Sequence, residues 1–259
     1  MLIDTHAHLT DEKFNSNIDA LIKDLDYNGI DKVFTVAYNK ETIISSVELA
    51  RKYPQVYAII GIHPDSAEEL DDSTIELIKK LAQEPKVIGI GEIGLDYHWR
   101  TDNKDIQKEA FVKQIRLAYE LQLPISIHNR DSIGDMLPIL KENKEFLKYG
   151  GVMHCYSESV EIYKEIKKLG LKIAFGGTLT FKNSVVAPAV CAVADMEDIL
   201  LETDCPYLAP HPHRGSINEP KYTRLVAEKI ALIKGVSYDT IIRETHKNAL
   251  NLFKKVNNE

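Results

Sequence analysis

His6 and His8 stand two residues apart at the end of the chain's first apolar run, Met1-Leu2-Ile3-Asp4-Thr5. Residues two apart in a strand point to the same face, so both imidazoles can address one point in space. Glu92, His128, His154 and Asp204 each end a later strand-like run, as does His63. Imidazole and carboxylate donors without thiolates suit Zn, Mn, Ni or Fe, and with fewer histidines Mg. The candidates His6, His8, Glu92, His128, His154 and Asp204 exceed what one tetrahedral ion needs. Two divalent ions about 3.5–4 Å apart, bridged by a carboxylate, would use them all. Glu92 is the expected bridge, with His6, His8 and Asp204 on one ion and His128 and His154 on the other. Such a centre does hydrolysis, with Glu92 and Asp204 as its catalytic carboxylates and Asp204 placed to accept a proton from the attacking water. As a metal-free core cluster, the same six groups would be poorly satisfied.

Four further residues accompany them. His63, in Gly61-Ile62-His63-Pro64, has three readings: it orients a ligand, contacts substrate or is satisfied within its own loop. Glu202, like Asp4, lies two residues before a ligand candidate and faces inward one layer deeper, either orienting ligands or forming an internal polar pair. Arg130, two residues after His128, either meets an anionic substrate group or pairs with Asp131 or Asp135. Arg214, with Lys182 and His213, follows a strand end and so lies on the face where the ligand candidates gather. Cys155 and Cys205 directly follow His154 and Asp204, so they point to the opposite face and read as small core residues.

Elements that end in these residues must be strands that converge. Apolar runs at 1–5, 31–37, 56–62, 86–92, 124–128, 151–154, 171–176 and 198–203 are nearly continuous, as in parallel strands covered on both faces. Amphipathic stretches separate them; Ile106, Ala110, Phe111, Ile115, Ala118 and Leu121 form one stripe at helical spacing. Eight such units in 259 residues match an α/β fold of the (β/α)8 TIM-barrel type. An open doubly wound sheet gathers its site from a few strands, whereas these candidates come from six, which a closed ring can bring to one centre. No linker or repeat divides the chain, so 1–259 reads as one domain.

Gly89-Ile90-Gly91-Glu92-Ile93-Gly94 imitates a dinucleotide fingerprint. Its third glycine should open a helix, yet Leu95 to Asn103 reads as a loop, and Glu92 would repel a pyrophosphate. No nucleotide cofactor is expected, and the glycines are read as leaving room around the Glu92 carboxylate. The composition, 44% hydrophobic and 27% charged with a net charge of −7, is that of a soluble globular protein without a dedicated basic surface. Three cysteines without CxxC spacing suit a reducing compartment. With no leader and no apolar run near 18 residues, a cytoplasmic protein free of the membrane is expected.

Taken together, the segments Ile3-Asp4-Thr5-His6-Ala7-His8-Leu9, Gly61-Ile62-His63-Pro64, Gly91-Glu92-Ile93-Gly94-Leu95-Asp96-Tyr97, Ile127-His128-Asn129-Arg130-Asp131, His154-Cys155-Tyr156 and Leu201-Glu202-Thr203-Asp204-Cys205-Pro206 resemble the TatD family of metal-dependent deoxyribonucleases. So do Phe175-Gly176-Gly177, Thr180-Phe181-Lys182-Asn183, Pro212-His213-Arg214-Gly215 and Asn218-Glu219-Pro220. The resemblance implies metal-ligand roles for His6, His8, Glu92, His128, His154 and Asp204. It also implies hydrolysis of DNA phosphodiesters, including 3′-end exonuclease action, with DNA or another nucleic acid as substrate. Ser216-Ile217 stands where relatives often carry basic residues, which reduces the positive charge at the mouth. Two other classes use the same residues: a carbonyl hydrolase, such as an aminoacyl-tRNA deacylase or a small-molecule amidohydrolase, and a non-catalytic metal-stabilised binding protein.

Overall fold

Apolar, β-branched runs set the frame. In the computed structural model, which describes residues 1–258, eight parallel strands follow one another around a single sheet in chain order. They are β1 (Leu2–Ala7), β2 (Ile30–Val36), β3 (Val56–Ile60), β4 (Val87–Asp96), β5 (Ile125–Arg130), β6 (Gly151–Met153), β7 (Leu171–Phe175) and β8 (Ile199–Leu201). The ring closes where the segment after β8 meets β1, through a parallel bridge between Ala7 and Cys205. The His8 amide donates to the Cys205 carbonyl (2.7 Å) and the Asp204 amide to that of His6 (2.9 Å). Asp4 adds a side-chain clasp, accepting from the Thr203 amide (2.9 Å) and the Thr203 hydroxyl (2.5 Å). The (β/α)8 barrel expected from the cadence of the sequence is the observed fold.

Helices cover the ring, and the main apolar layer lies between them and the strands. Val33, Ala58, Ile60 and Ile127 pack there with Phe111 and Ile115 of the helix Lys104–Leu121. A second cluster includes Phe34, Ile59 and Phe253, with the Phe34 and Phe253 rings 5.0 Å apart. Each such fully buried Val, Ile or Phe side chain contributes about 1.5–3 kcal/mol. No helix among the described residues is long and apolar enough to cross a membrane.

The helix Lys104–Leu121 departs from its expected stripe. Ile106 is exposed, and Gln107 and Gln114 are buried. Polar residues take inward positions because they satisfy backbone groups that would otherwise be orphaned. Gln114 accepts from the Ile62 amide (2.8 Å) and donates to the Ile62 carbonyl (3.0 Å), next to His63. Gln107 does the same for Asp96, at 2.9 and 3.0 Å.

Strand β4 also corrects the sequence reading. It does not stop at Glu92: Ile93 to Asp96 pair with Ile127 to Arg130 of β5, after a register shift beyond Ile90. The segment read as a loop therefore begins only after Asp96, and Gly94 lies in a strand rather than a helix. Nor do the glycines clear space for the carboxylate; they let backbones approach. A Cβ on Gly91 would stand 2.7 Å from the Ser126 Cβ, and one on Gly94, whose φ is +148°, 2.0 Å from the His128 carbonyl oxygen. Gly94→Ala is expected to cost about 3 kcal/mol or more, since neither backbone can yield without breaking the ladder beside His128. Urea denaturation checks this, and a loss below about 1 kcal/mol would show that the two strands can separate at little cost.

Candidate metal centre

The six ligand candidates meet at the C-terminal end of the barrel. His6 lies on β1, Glu92 on β4 and His128 on β5, while His154 directly follows β6 and Asp204 follows β8. His8 lies just beyond β1, with Nδ1 3.0 Å from the Val36 carbonyl oxygen, and His6 Nδ1 is 3.3 Å from the Ser126 hydroxyl. These contacts turn both Nε2 atoms toward the centre. Asp204 has φ +58°, a left-handed conformation that Asp and Asn tolerate better than most residues.

Glu92 is at the middle. Its Oε2 lies 3.4 Å from His6 Nε2 and 3.6 Å from His8 Nε2. Asp204 Oδ1 faces the same two nitrogens, at 3.9 and 3.3 Å. On the other side, Glu92 Oε1 lies 2.7 Å from His128 Nδ1 and 2.8 Å from His154 Nε2. Each carboxylate oxygen thus addresses a different pair of imidazoles. Ligand atoms of His6, His8 and Glu92 lie within 4.8 Å of one another, as do those of His63, Glu92 and His128, and those of His6, His154 and Glu202.

The donor set fits divalent cations. Among the described residues, His6 Nε2 and His154 Nδ1 are buried without a hydrogen-bond partner, as is Glu202 Oε2, and such groups are costly unless something charged completes them. Burial opposes protonation of His8 and His128, yet the adjacent carboxylates dominate. Asp204 and Glu92 hold His8 up to about 9, and Asp96 and Glu92 hold His128 up to about 10. Protons on these imidazoles do the charge balancing that a metal ion would do.

His63 is a neighbour of this cluster rather than an isolated loop residue. Its Nε2 is 3.7 Å from Glu92 Oε1, and its ring lies edge-on to His128 at 4.4 Å. Burial, with His128 close by, pushes its pKa down to about 3. The Asp65 amide donates to Nδ1 (3.1 Å), so neutral His63 carries its proton on Nε2. Glu202 accepts from the Cys155 amide (2.5 Å) and stands 3.9 Å from His154 Nδ1; burial raises its pKa to about 8. Asp4 instead clasps Thr203, so it and Glu202 do not form the internal pair.

Above the cluster opens a cleft of about 600 Å³, lined by His8, Tyr38, His63, Glu92, Asp96, Trp99, His128, Arg130, His154, Asp204 and Tyr207, among others. Asp131 pairs with His98, and Asp135 with Tyr97 and Lys108, so neither takes Arg130. The Arg130 guanidinium lies 5.4 Å from the ring centroid of Trp99, which is 68% exposed. Tyr97, two residues before Trp99, packs against the core instead. Arg214 does not line the cleft; its guanidinium lies over Phe181 at 3.6 Å, and His213 stacks on Tyr222 at 4.4 Å. Cys155, Cys191 and Cys205 are free thiols. Asp96, absent from the sequence-derived set, is buried with Oδ2 2.9 Å from His128 Nε2. Its signal was the alternation Glu92, Gly94, Asp96, hidden once the strand was ended at Glu92.

Comparison with known proteins identifies the fold and the family. Residues 3–254 match the model of the family described as TatD related DNase. The chain is 42% identical to an uncharacterized metal-dependent hydrolase, YabD, of Bacillus subtilis, across 98% of this chain and 99% of that one. It is 33% identical to another, YcfH, of Escherichia coli, across 97% and 95%. The crystal structure of YjjV, a TatD homologue from Escherichia coli, superposes with a TM-score of 0.91 at 28% identity, covering 98% of each chain. The barrel, the clustered imidazoles and carboxylates and these relatives together place the chain in the TatD family of metal-dependent hydrolases.

Proposed function

We propose that this hydrolase is a deoxyribonuclease that removes nucleotides from the 3′ end of DNA, using two divalent ions of the Mg, Mn, Zn or Ni class. The observation that carries the reading is the guanidinium of Arg130 lying over exposed Trp99 at the mouth of the cleft. Among the described residues no carboxylate pairs with it. A cation beside an exposed ring suits a phosphate next to a base, which stacks on aromatic faces whatever its identity.

His6, His8 and Asp204 would hold one ion and His128 and His154 the other, with Glu92 shared between them. Ions so held would supply acidification of a water and would offset charge on the phosphoryl oxygens. The chain's own groups do the rest. Asp204, kept ionised against its burial by His8 and the other imidazoles, accepts the proton of the attacking water. The Nε2–H of neutral His63 and the guanidinium of Arg130 orient phosphate oxygens. Trp99 supports the terminal base, and Tyr38 and Tyr207 line the same cleft. The free thiols and the absence of a membrane-crossing helix among the described residues accord with a cytoplasmic enzyme.

A second reading, hydrolysis of an acyl ester carried by tRNA, draws on the exposed Ser216 and Ile217, which add no positive charge to the loop after β8. A single-stranded DNA oligonucleotide labelled at its 5′ end separates the two when the chelator-stripped protein is reloaded with Mg, Mn, Zn or Ni. A ladder shortening from the 3′ end is expected, with release of mononucleotides. Arg130→Ala should raise KM about tenfold and lower the salt slope by about 0.7, as for one phosphate contact on a single strand. No cleavage with any metal, together with release of amino acid from aminoacyl-tRNA, would replace this reading by the second.

A further inference from the structure

Imidazoles that serve a metal usually lean on a second partner through their other nitrogen, and that partner selects the tautomer and tunes donor strength. The partners differ around this centre. His8 and His6 lean on neutral oxygens, the Val36 carbonyl at 3.0 Å and the Ser126 hydroxyl at 3.3 Å. His128 Nε2 leans on a carboxylate, Asp96 Oδ2, at 2.9 Å, while its Nδ1 faces Glu92 Oε1 at 2.7 Å and His154 Nε2 at 3.2 Å.

We propose that Asp96 is a positioning residue that holds His128 in the Nε2–H tautomer, presenting a bare Nδ1 to the Glu92–His154 side and so setting the affinity of that ion position alone. The proposal rests on the two-ion reading and makes the two positions unequal. Asp96 is itself rigidly held. Its Oδ1 accepts from the His98 amide (2.8 Å) and the Trp99 amide (3.3 Å), and Gln107 grips both its backbone groups. Both oxygens are therefore oriented, and only Oδ2 faces His128.

This arrangement makes two substitutions differ in an unusual order. In Asp96→Asn the amide oxygen stays with the two backbone N–H groups, so the NH₂ group replaces Oδ2 and donates to His128 Nε2. The imidazole proton is then forced onto Nδ1, where it blocks the donor atom, the same wrong-tautomer effect that an asparagine produces behind a catalytic histidine. Asp96→Ala leaves the tautomer free, and Gln107 still holds the backbone.

Titration of the stripped full-length protein with Zn or Mn, followed calorimetrically, tests this without reference to turnover. Asp96→Asn is expected to weaken one of two ions about 10–100-fold and leave the other within about twofold. Asp96→Ala should weaken the same ion by a smaller factor. Equal losses in the two variants, or none in either, would overturn the role of Asp96. A wild-type protein that binds one ion only would overturn the two-ion reading instead, and the order of the two variants for that ion would still decide Asp96.

Discussion

Asp204→Asn is expected to lower turnover about a thousandfold or more while the barrel stays folded. Both halves of this result follow from where Asp204 sits. Its backbone has φ +58°, and its amide closes the ring by donating to the His6 carbonyl at 2.9 Å. Asparagine accepts a left-handed conformation as readily as aspartate, so the closure survives, where alanine would add backbone strain. What is lost is the charge. Oδ1 faces His8 Nε2 at 3.3 Å and His6 Nε2 at 3.9 Å, and an amide there neither holds a cation well nor accepts a proton from water. The check is kcat on a labelled oligonucleotide beside a thermal melt. A variant that melts normally and retains more than about a tenth of the wild-type rate removes Asp204 from the mechanism.

Stripping the ions should have an equally large effect, on both activity and stability. Turnover on the oligonucleotide is expected to vanish with chelator and to return when metal is restored. An ion at 100 times its Kd stabilises the fold by about 2.7 kcal/mol, which for a chain of this size corresponds to a rise in Tm of about 5–10 °C. The dependence on pH has a definite sign. Without metal, His8 is held up to about 9 and His128 up to about 10, so near neutrality both carry protons that an entering ion must expel. Metal affinity therefore falls as pH falls, and the Tm difference between loaded and stripped protein shrinks with it. A melt that does not respond to metal at neutral pH would mean that the cluster is held by its own ion pairs.

The barrel was legible because its strands are unbroken apolar runs, such as Val56–Ile60 and Val87–Ile90, that cover both faces of a parallel sheet. The meeting of His6, His8, Glu92, His128, His154 and Asp204 was legible for a related reason: a strand's end is a fixed place in this fold, and residues that end strands of a closed ring meet there. Less legible were Gln107 and Gln114. By type they belong to a wet helix face, but they are buried because they satisfy the backbone of Asp96 and Ile62. Arg130 had two candidate carboxylates nearby in sequence, and the choice went to Trp99 because His98, Tyr97 and Lys108 take those carboxylates.

Residue type and strand alternation are properties of the chain alone, and they fix which chemistry is available and at which end of the barrel. How the groups are shared out depends on packing. That Glu92 turns one oxygen to each pair of imidazoles, that β4 continues to Asp96 because β5 pairs with it, and that His128 leans on a carboxylate while His6 and His8 lean on neutral oxygens all depend on contacts between elements distant in sequence. Period and composition report the direction in which a side chain leaves its own strand; only packing reports what it meets there.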